Sequence, residues 1–291
     1  MQNTTEKSSR SAEGLYKFFI YFVLVLLAVT IIVPVAWVFM ASIKQNAEFY
    51  GNPWALPAGF YWQNFVNAWN GAKMGEYMLN SVIVTALALL LLLAVALPAA
   101  YCLSRKRVAA GPTIMKLLVF TMYFSGGMIP LYLVVKGVGL YGSRWALILP
   151  TLVDTYNLII MRTAFAGVPD SLEESAKLDG SNAWTILWRI MAPLVKPTVA
   201  VITLYYAVSH WNSWFNAMLF LREKTQYPLQ LILRQILIQN DTADMTAGAD
   251  YLISETIQYA TVVVATLPIL CIYPFVQKYF VKGVMIGAIK G

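Results

Sequence analysis

Charge is what this sequence has least of. Asp, Glu, Lys and Arg make up 12% of its 291 residues, against about 25% in a soluble domain, so water is not the solvent of most of the chain. Cysteine is scarce too. Cys102 and Cys271 both fall within apolar runs, which excludes a disulfide framework and leaves them as packing residues. No G-x-x-x-x-G-K-[ST] segment occurs, so the chain has no P-loop for ATP. The stretch GVGLYGS at 137–143 fits the GxGxxG spacing, yet that fingerprint has meaning only between a strand and a helix of a soluble βαβ unit. Here it lies between two apolar runs, as a short turn. No catalytic residue, no metal site and no cofactor site of its own is read in the chain.

Apolar residues take the place of charge. They form 59% of the sequence, and mean hydropathy is +0.63. A hydrocarbon core about 30 Å thick takes roughly 20 apolar helical residues to cross. Six segments are long enough: 15–41, 77–103, 114–135, 144–165, 198–221 and 255–281. The expected fold class is therefore an all-α integral membrane protein with six transmembrane helices. The first run is longer than the roughly 7–15-residue core of a signal peptide and lacks a cleavage pattern; it reads as a retained anchor.

A net charge of +7 could suit nucleic acid, but the basic residues follow topology instead. With the N-terminus in the cytoplasm, Lys7, Arg10, Lys17, the Arg105-Lys106-Arg107 cluster, Lys116, Lys177, Arg189, Lys196, Lys278, Lys282 and Lys290 fall inside, and Arg162 lies near an inner helix end. Lys44, Lys73, Lys136, Arg144, Arg222, Lys224 and Arg234 fall outside. This is the positive-inside bias, and it puts both termini in the cytoplasm and leaves no nucleic-acid partner. Residues 1–14 read as a polar cytoplasmic tail, and 42–76 and 222–254 as outside loops. Trp37, Trp54, Trp62 and Tyr279 suit the interfacial belts.

Several segments depart from plain lipid-facing pattern. SGGMIP at 125–130 places helix breakers in mid-membrane, tolerated only where neighbouring helices or a water-filled cavity satisfy the freed backbone. The third span is expected to be kinked. In SHWNSWFNAM at 209–218, His210, Asn212, Ser213 and Asn216 alternate with Trp211, Trp214 and Phe215. Polar groups at that depth face an aqueous path or a neighbouring helix, and rings beside amides suit sugar faces and hydroxyls; helix-to-helix bonding and an interfacial belt are the other reading. Asp154, Tyr156 and Asn157 pose the same choice, with Arg144 or Arg162 as a simple partner for Asp154. In the loop 222–254, Pro228 precedes Leu229, Ile232, Leu233, Ile236 and Leu237, an amphipathic helix that either caps the bundle or docks an outside partner.

The most polar insert is PDSLEESAKLDGSNAWTILWRIMAPLVKP at 169–197. Ser171 and Glu174 have capping-box spacing, and Asp179-Gly180 supplies a helix stop. A second helix follows with Trp184, Leu187, Trp188 and Met191 on one face, closed by Pro193 and Pro197. This helix-turn-helix knob resembles the EAA loop of ABC importer permeases, with Glu174, Ala176, Gly180, Ile190 and Pro193 at the family spacing. Ser175 stands for the middle alanine of the triplet and Ala192 for the leucine before the proline. YFVKGVMIGAIKG at 279–291 is similar to the ending of the carbohydrate-uptake branch, in the subunit like the smaller maltose-type permease. YFSGGMIPLYL and WNSWFNAMLFL look like a subgroup of that branch associated with complex oligosaccharides.

The resemblance implies a type I ABC importer permease domain over 15–291 in a bacterial cell (inner) membrane. Ser171, Leu172, Glu173, Glu174, Ser175, Ala176, Lys177, Leu178, Asp179 and Gly180 would form the ATPase-coupling element, Glu174 being its main polar contact. The implied partners are a homologous second permease in a heterodimer, two ATPase subunits that carry ATP and Mg, an extracellular solute-binding protein and an oligosaccharide substrate. Leu229, Ile232, Leu233 and Ile236 would dock the binding protein. Asp154, Tyr156, Asn157, His210, Trp211, Asn212, Trp214 and Asn216 would line the substrate path. Acidic saccharides are moved by some members of the subgroup; Arg144 and Arg234 would attract them, or are ordinary loop charges. The alternative function is an ion-coupled secondary transporter, which needs a relay of buried acids; Asp154 and Glu255 are its candidates.

Overall fold

The computed structural model describes residues 2–71, 73–239 and 254–288. The belt role of the Tyr279 side chain, the polar stretch 240–250 and the residues after 288 lie outside what is described. All the described elements are helical: α1 (Gln2–Ser42), α2 (Asn46–Gly51), α3 (Gln63–Gly71), α4 (Met74–Ser104), α5 (Gly111–Tyr123), α6 (Met128–Gly137), α7 (Trp145–Ile148), α8 (Thr155–Ala166), α9 (Asp170–Leu178), α10 (Ala183–Leu194), α11 (Lys196–Trp211), α12 (Phe215–Phe220), α13 (Leu229–Ile238) and α14 (Glu255–Ala288). Helix α1 starts at Gln2, so residues 2–14, read from sequence as a polar tail, are helical and continuous with the first apolar run.

Among the described residues three helical stretches are long and apolar enough to cross a membrane: Tyr16–Ser42, Met74–Ser104 and Glu255–Pro274. A fourth counts if α10 and α11, bent by 89°, form one crossing. The other expected spans are broken. The run 114–135 divides into α5 and α6, because Phe124 is extended, Gly127 takes φ +84°, and Pro130 has no N–H to give a helix passing through. The run 144–165 divides at Pro150 and restarts at Asp154, whose extended backbone caps α8. The run 198–221 divides at Asn212–Ser213, between α11 and α12.

Helices α1 and α14 run through Pro34, Pro268 and Pro274, and two others meet proline through a widened turn. In α4 the turn Leu92–Ala96 widens just before Pro98, and in α10 the turn Ile186–Met191 widens before Pro193. A proline ring collides with the carbonyl four residues earlier, and a π-type turn moves that carbonyl aside.

The chain forms two compact units, 1–72 with 242–264, and 73–241 with 265–291. In the first, Lys44 is fully buried and its Nζ donates to the carbonyls of Asn52 (3.2 Å) and Pro53 (3.0 Å) at the end of α2. Asn64 donates to the carbonyls of Ser42 and Lys44, and Thr256 bonds to Asn46. Trp37 packs on Phe49, Trp54 and Tyr259, so Trp37 and Trp54 form part of an aromatic cluster. Most of α1 presents Phe, Leu, Val and Ile side chains outward, half exposed or more, as a lipid-facing helix does.

The second unit is built on α4. Its Leu92, Ala96, Leu97, Ala100 and Tyr101 pack with Leu158, Met161 and Phe165 of α8 and with Ala176, Ile186, Leu187, Met191 and Val195 of the loop that follows. Higher on α4, Val84 and Ala88 pack with Leu147, Ile148, Ala217 and Leu231. Cys102 and Cys271 are free and exposed, so neither packs into a core as expected.

Candidate functional site

The knob at 169–197 folds largely as its sequence dictates. Helix α9 stops at Asp179 and turns on Gly180 at φ +79°, a left-handed conformation open to glycine. Gly180 N–H donates to the Lys177 carbonyl and Ser181 N–H to the Ala176 carbonyl, which satisfies two orphan carbonyls of the last turn. Asn182 then caps α10, its Oδ1 accepting from Thr185 N–H at 2.8 Å. The start differs from expectation. Pro169 occupies the N-cap position and makes no side-chain cap bond, so Ser171 and Glu174 form no capping box; Pro169 fixes φ at −56° and lets Asp170 open the helix.

Glu173 and Glu174 point to opposite fates. Glu173 is buried at 6% exposure, where it bonds to Lys177 and pairs with Arg105 Nε at 3.1 Å. Burial pushes its carboxyl up, but the hydrogen bonds from Lys177 and Tyr101 and the charges of Lys177 and Arg105 outweigh that and hold it below the ordinary carboxylate value. Glu174, with 60% of its side chain exposed, touches Arg107 at 3.6 Å. That surface pair adds about 0–1 kcal/mol, whereas burying Ile186, Leu187 and Met191 adds roughly 1.5–3 kcal/mol each. The knob is held by its apolar underside, and its outer face is free to meet a partner: Leu178 is 90% exposed, Leu172 43% and Trp184 61%. On the apolar face read from sequence, Leu187 and Met191 are buried, while Trp184 and Trp188 turn out.

A second site lies where 144–165 breaks. A cavity of about 520 Å³ is lined by Thr121, Thr151, Asp154, Thr155, Tyr156, Asn157, Tyr206, Ser209 and His210, with Met122, Pro150 and Val153. Asp154 Oδ1 accepts the Asn157 N–H at 2.8 Å, and Tyr206 holds the backbone of the turn through its hydroxyl. Neither expected cation reaches Asp154. Arg144 donates to Asn80 Oδ1 at 2.7 Å and Arg162 to the Leu103 carbonyl at 2.9 Å, so Asp154 is a helix cap rather than an ion-pair partner.

Of the eight residues read as a substrate path, the cavity gathers Asp154, Tyr156, Asn157 and His210. The other four sit elsewhere: Trp211, one residue on from His210 in α11, faces another side of that helix, and the remaining three lie at or beyond the bend at Asn212. Trp211 is buried and lines a separate apolar cavity of about 210 Å³ with Thr85, Leu204, Val208 and Ile272. Asn212 caps the end of α11, Trp214 lies under the Arg234 guanidinium at 4.1 Å, and Asn216 is half-buried in α12. Tyr206, Ser209 and the threonines were missed; Ser209 and His210 stand three and four positions after Tyr206 on one helix, and that spacing is the signal that could have found Tyr206 and Ser209.

In α13, Leu229, Ile232 and Ile236 are buried and Leu233 is half-buried. Leu229 N–H donates to Ser81 Oγ at 2.9 Å, and Leu231 packs on Val84 and Ala88 of α4. The apolar stripe thus seats the helix on its own unit, so these side chains do not offer themselves to a partner. Leu237 and Ile238 face outward.

Comparison with known proteins bears on the chain as a whole. Residues 107–286 match the family described as binding-protein-dependent transport system inner membrane component. The polygalacturonan/rhamnogalacturonan transport system permease protein YtcP of Bacillus subtilis is 40% identical over 95% of this chain and 99% of its own length. The diacetylchitobiose uptake system permease protein NgcG of Streptomyces coelicolor is 26% identical over 98% and 92%. Among solved structures, a bacterial ABC transporter involved in the import of the acidic polysaccharide alginate superposes with a TM-score of 0.84 at 28% identity, covering 92% of this chain and 98% of that one.

Proposed function

The chain belongs to the family of binding-protein-dependent transport system inner membrane components, and from that premise we propose how its two sites divide the work of an importer. It is the permease subunit of a sugar ABC importer, an integral membrane transport component and not an enzyme. Helix α9 is its ATPase-docking element. The observation that carries this is the split between neighbouring carboxylates, Glu173 tied inward to Arg105 and Lys177 and Glu174 turned out beside exposed Leu178. One fixes the helix to the protein; the other is offered to a partner.

Six crossings, with broken third, fourth and fifth spans, put α9 and both termini on the cytoplasmic side. Two ATPase subunits bind ATP and Mg, and their closure moves α9. A homologous second permease completes the membrane channel as a heterodimer, and a solute-binding protein delivers the sugar outside. That delivery contact falls on the outer face of α13, with Leu237, Ile238 and Arg234, since its inner stripe is covered.

The cavity beside Asp154 is this subunit's wall of the sugar path. Its hydroxyls, amide and imidazole, from Thr121, Thr151, Tyr206, Ser209, Asn157 and His210, match the donors and acceptors of an oligosaccharide. Broken helices are tolerated in a membrane where they line such a space. The substrate is an oligosaccharide, a reading supported by relatives named for polygalacturonan/rhamnogalacturonan transport, diacetylchitobiose uptake and import of the acidic polysaccharide alginate.

Co-purification of the tagged chain from its host in mild detergent tests the assignment. Recovery of an ATPase and a second permease is expected; a chain that emerges alone and whose uptake is driven by an ion gradient would refute it.

A further inference from the structure

We propose that Arg105 is a positioning residue that locks the docking helix α9 to the inner end of α4, so that the two move as one body. The inference rests on the reading of α9 as the ATPase-docking element and adds the part that carries its motion into the membrane.

Arg105 is the residue at which α4 ends, with extended backbone at φ −94° and ψ 130°. Its side chain is 8% exposed. From that covered position one guanidinium reaches four successive parts of the fold. Nη2 donates to the Phe165 carbonyl at 3.1 Å, in the last turn of α8, and lies 3.8 Å from Met191 Sδ of α10. Nη1 donates to the Val168 carbonyl at 3.4 Å and to Asp170 Oδ1 at 2.6 Å. Nε faces Glu173 Oε2 at 3.1 Å, and the guanidinium carbon lies 5.4 Å from the centre of the Tyr101 ring.

This pattern crosses a hinge. Between α8 and α9 the chain passes through Gly167, Val168 and Pro169, a linker that on its own would let a docked helix pivot without dragging a span. Arg105 bonds to residues on both sides of it, Phe165 before and Asp170 after, and its charge pairs with Glu173 one turn further on. Lys177, which bonds to Glu173, completes the charge balance on the α9 side, and Arg107 and Glu174 pair just outside. Only a planar fork of five donors satisfies carbonyls and carboxylates in several directions at once; a lysine ammonium has three donors on one point. Asp170 is exposed, but the Arg105 and Glu173 side chains are both 8% exposed, and charge-assisted contacts of that covered kind are stronger than a surface pair, so the lock is stiffest at Glu173 and the two carbonyls.

The arrangement gives α4 a direct role. Through Tyr101, Leu97 and Ala96 it shares one core with α8, α10 and Tyr206, and Tyr206 holds the turn beside the proposed sugar cavity. Motion delivered to α9 is thus handed to α4 by Arg105 and to the cavity wall by that core.

Nitroxide labels at Lys106 and Leu178, both exposed, in a complete importer with Cys102 and Cys271 replaced, measure the lock in the otherwise unsubstituted chain. Double electron–electron resonance should give the same distance distribution with and without ATP, while a label pair across the two ATPase subunits contracts. A shift of the Lys106–Leu178 distance as the ATPases close would overturn the lock. In the assembled complex, Arg105→Lys and Arg105→Gln should keep ATPase co-purification yet lower uptake at least about tenfold, the size of one lost charge-assisted bond. Full uptake by an assembled Arg105→Lys complex would also overturn it. Glu174→Ala separates the two levels: if it leaves coupling intact the docking reading of α9 fails, whereas a moving label pair in an importer that Glu174→Ala does uncouple sinks the lock alone.

Discussion

The hydroxyl of Tyr206 is wedged into the break of the fourth apolar run: it accepts the Asp154 N–H at 2.8 Å and donates to the Leu152 carbonyl at 3.1 Å. A helix interrupted inside a membrane leaves backbone groups that lipid cannot satisfy, and here a side chain from α11 takes two of them. Tyr206→Phe should therefore cost about 1–3 kcal/mol, the penalty of an unpaired buried group. Uptake should fall while ATPase partners still co-purify. Thermal melting of the complex and sugar uptake check this; an unchanged midpoint would show that water replaces the hydroxyl.

Asp154 has two separable parts to play. As the cap of α8 it is replaceable by Asn, and Asp154→Ala should cost about 1 kcal/mol. As a cavity carboxylate it is not, so Asp154→Asn should keep the melting point and raise the KM of uptake. Equal KM values would leave the residue as a cap alone.

The hold of Glu173 on α9 depends on pH with a defined sign. Its folded carboxyl lies below the ordinary value of 4.5, so the stabilisation is fully present above that value and is lost as pH falls through the lowered one. Melting of the complex should drop more steeply below pH 4.5 in the wild type than in Glu173→Gln. Parallel curves would mean that the carboxylate contributes nothing there.

At Gly180 the strain of substitution comes from backbone alone. No atom lies within 4 Å of where a Cβ would stand, and φ is +79°. A left-handed residue with a side chain costs about 1–2 kcal/mol, and a β-branched one more. Gly180→Val should thus impair ATPase-coupled uptake more than Gly180→Ala does. Identical behaviour of the two would place the turn outside the coupling element.

Much of this was legible residue by residue, where local chemistry is decisive. Gly180 after an amphipathic run reads as a helix stop, and SGGMIP as a break, because glycine and proline act on their own backbone. Apolar windows, by contrast, average over Pro150, Asp154 and Asn212, and so hide the places where spans divide. The same averaging grouped Trp211 and Trp214 with His210, although Trp211 turns to another face of α11 and the bend at Asn212 carries Trp214 elsewhere. Nothing local tells which of Glu173 and Glu174 faces inward. That is settled by Arg105, far away in the chain, and by Ala176, which lies one turn on from Glu173 and is buried with it. The docking stripe of α13 was read correctly as apolar, but an apolar stripe fits its own bundle as well as a partner, and α4 takes it.

The central claim is that Glu174 and its helix convert ATP hydrolysis into sugar movement. The most direct measurement is the number of sugars imported per ATP hydrolysed, in proteoliposomes holding the complete importer and loaded binding protein, for wild type and Glu174→Ala. Losing the exposed side chain should barely alter the stability of the permease, since its pair with Arg107 is worth about 0–1 kcal/mol. The account predicts an assembled Glu174→Ala complex in which that ratio collapses. An unchanged ratio would contradict it.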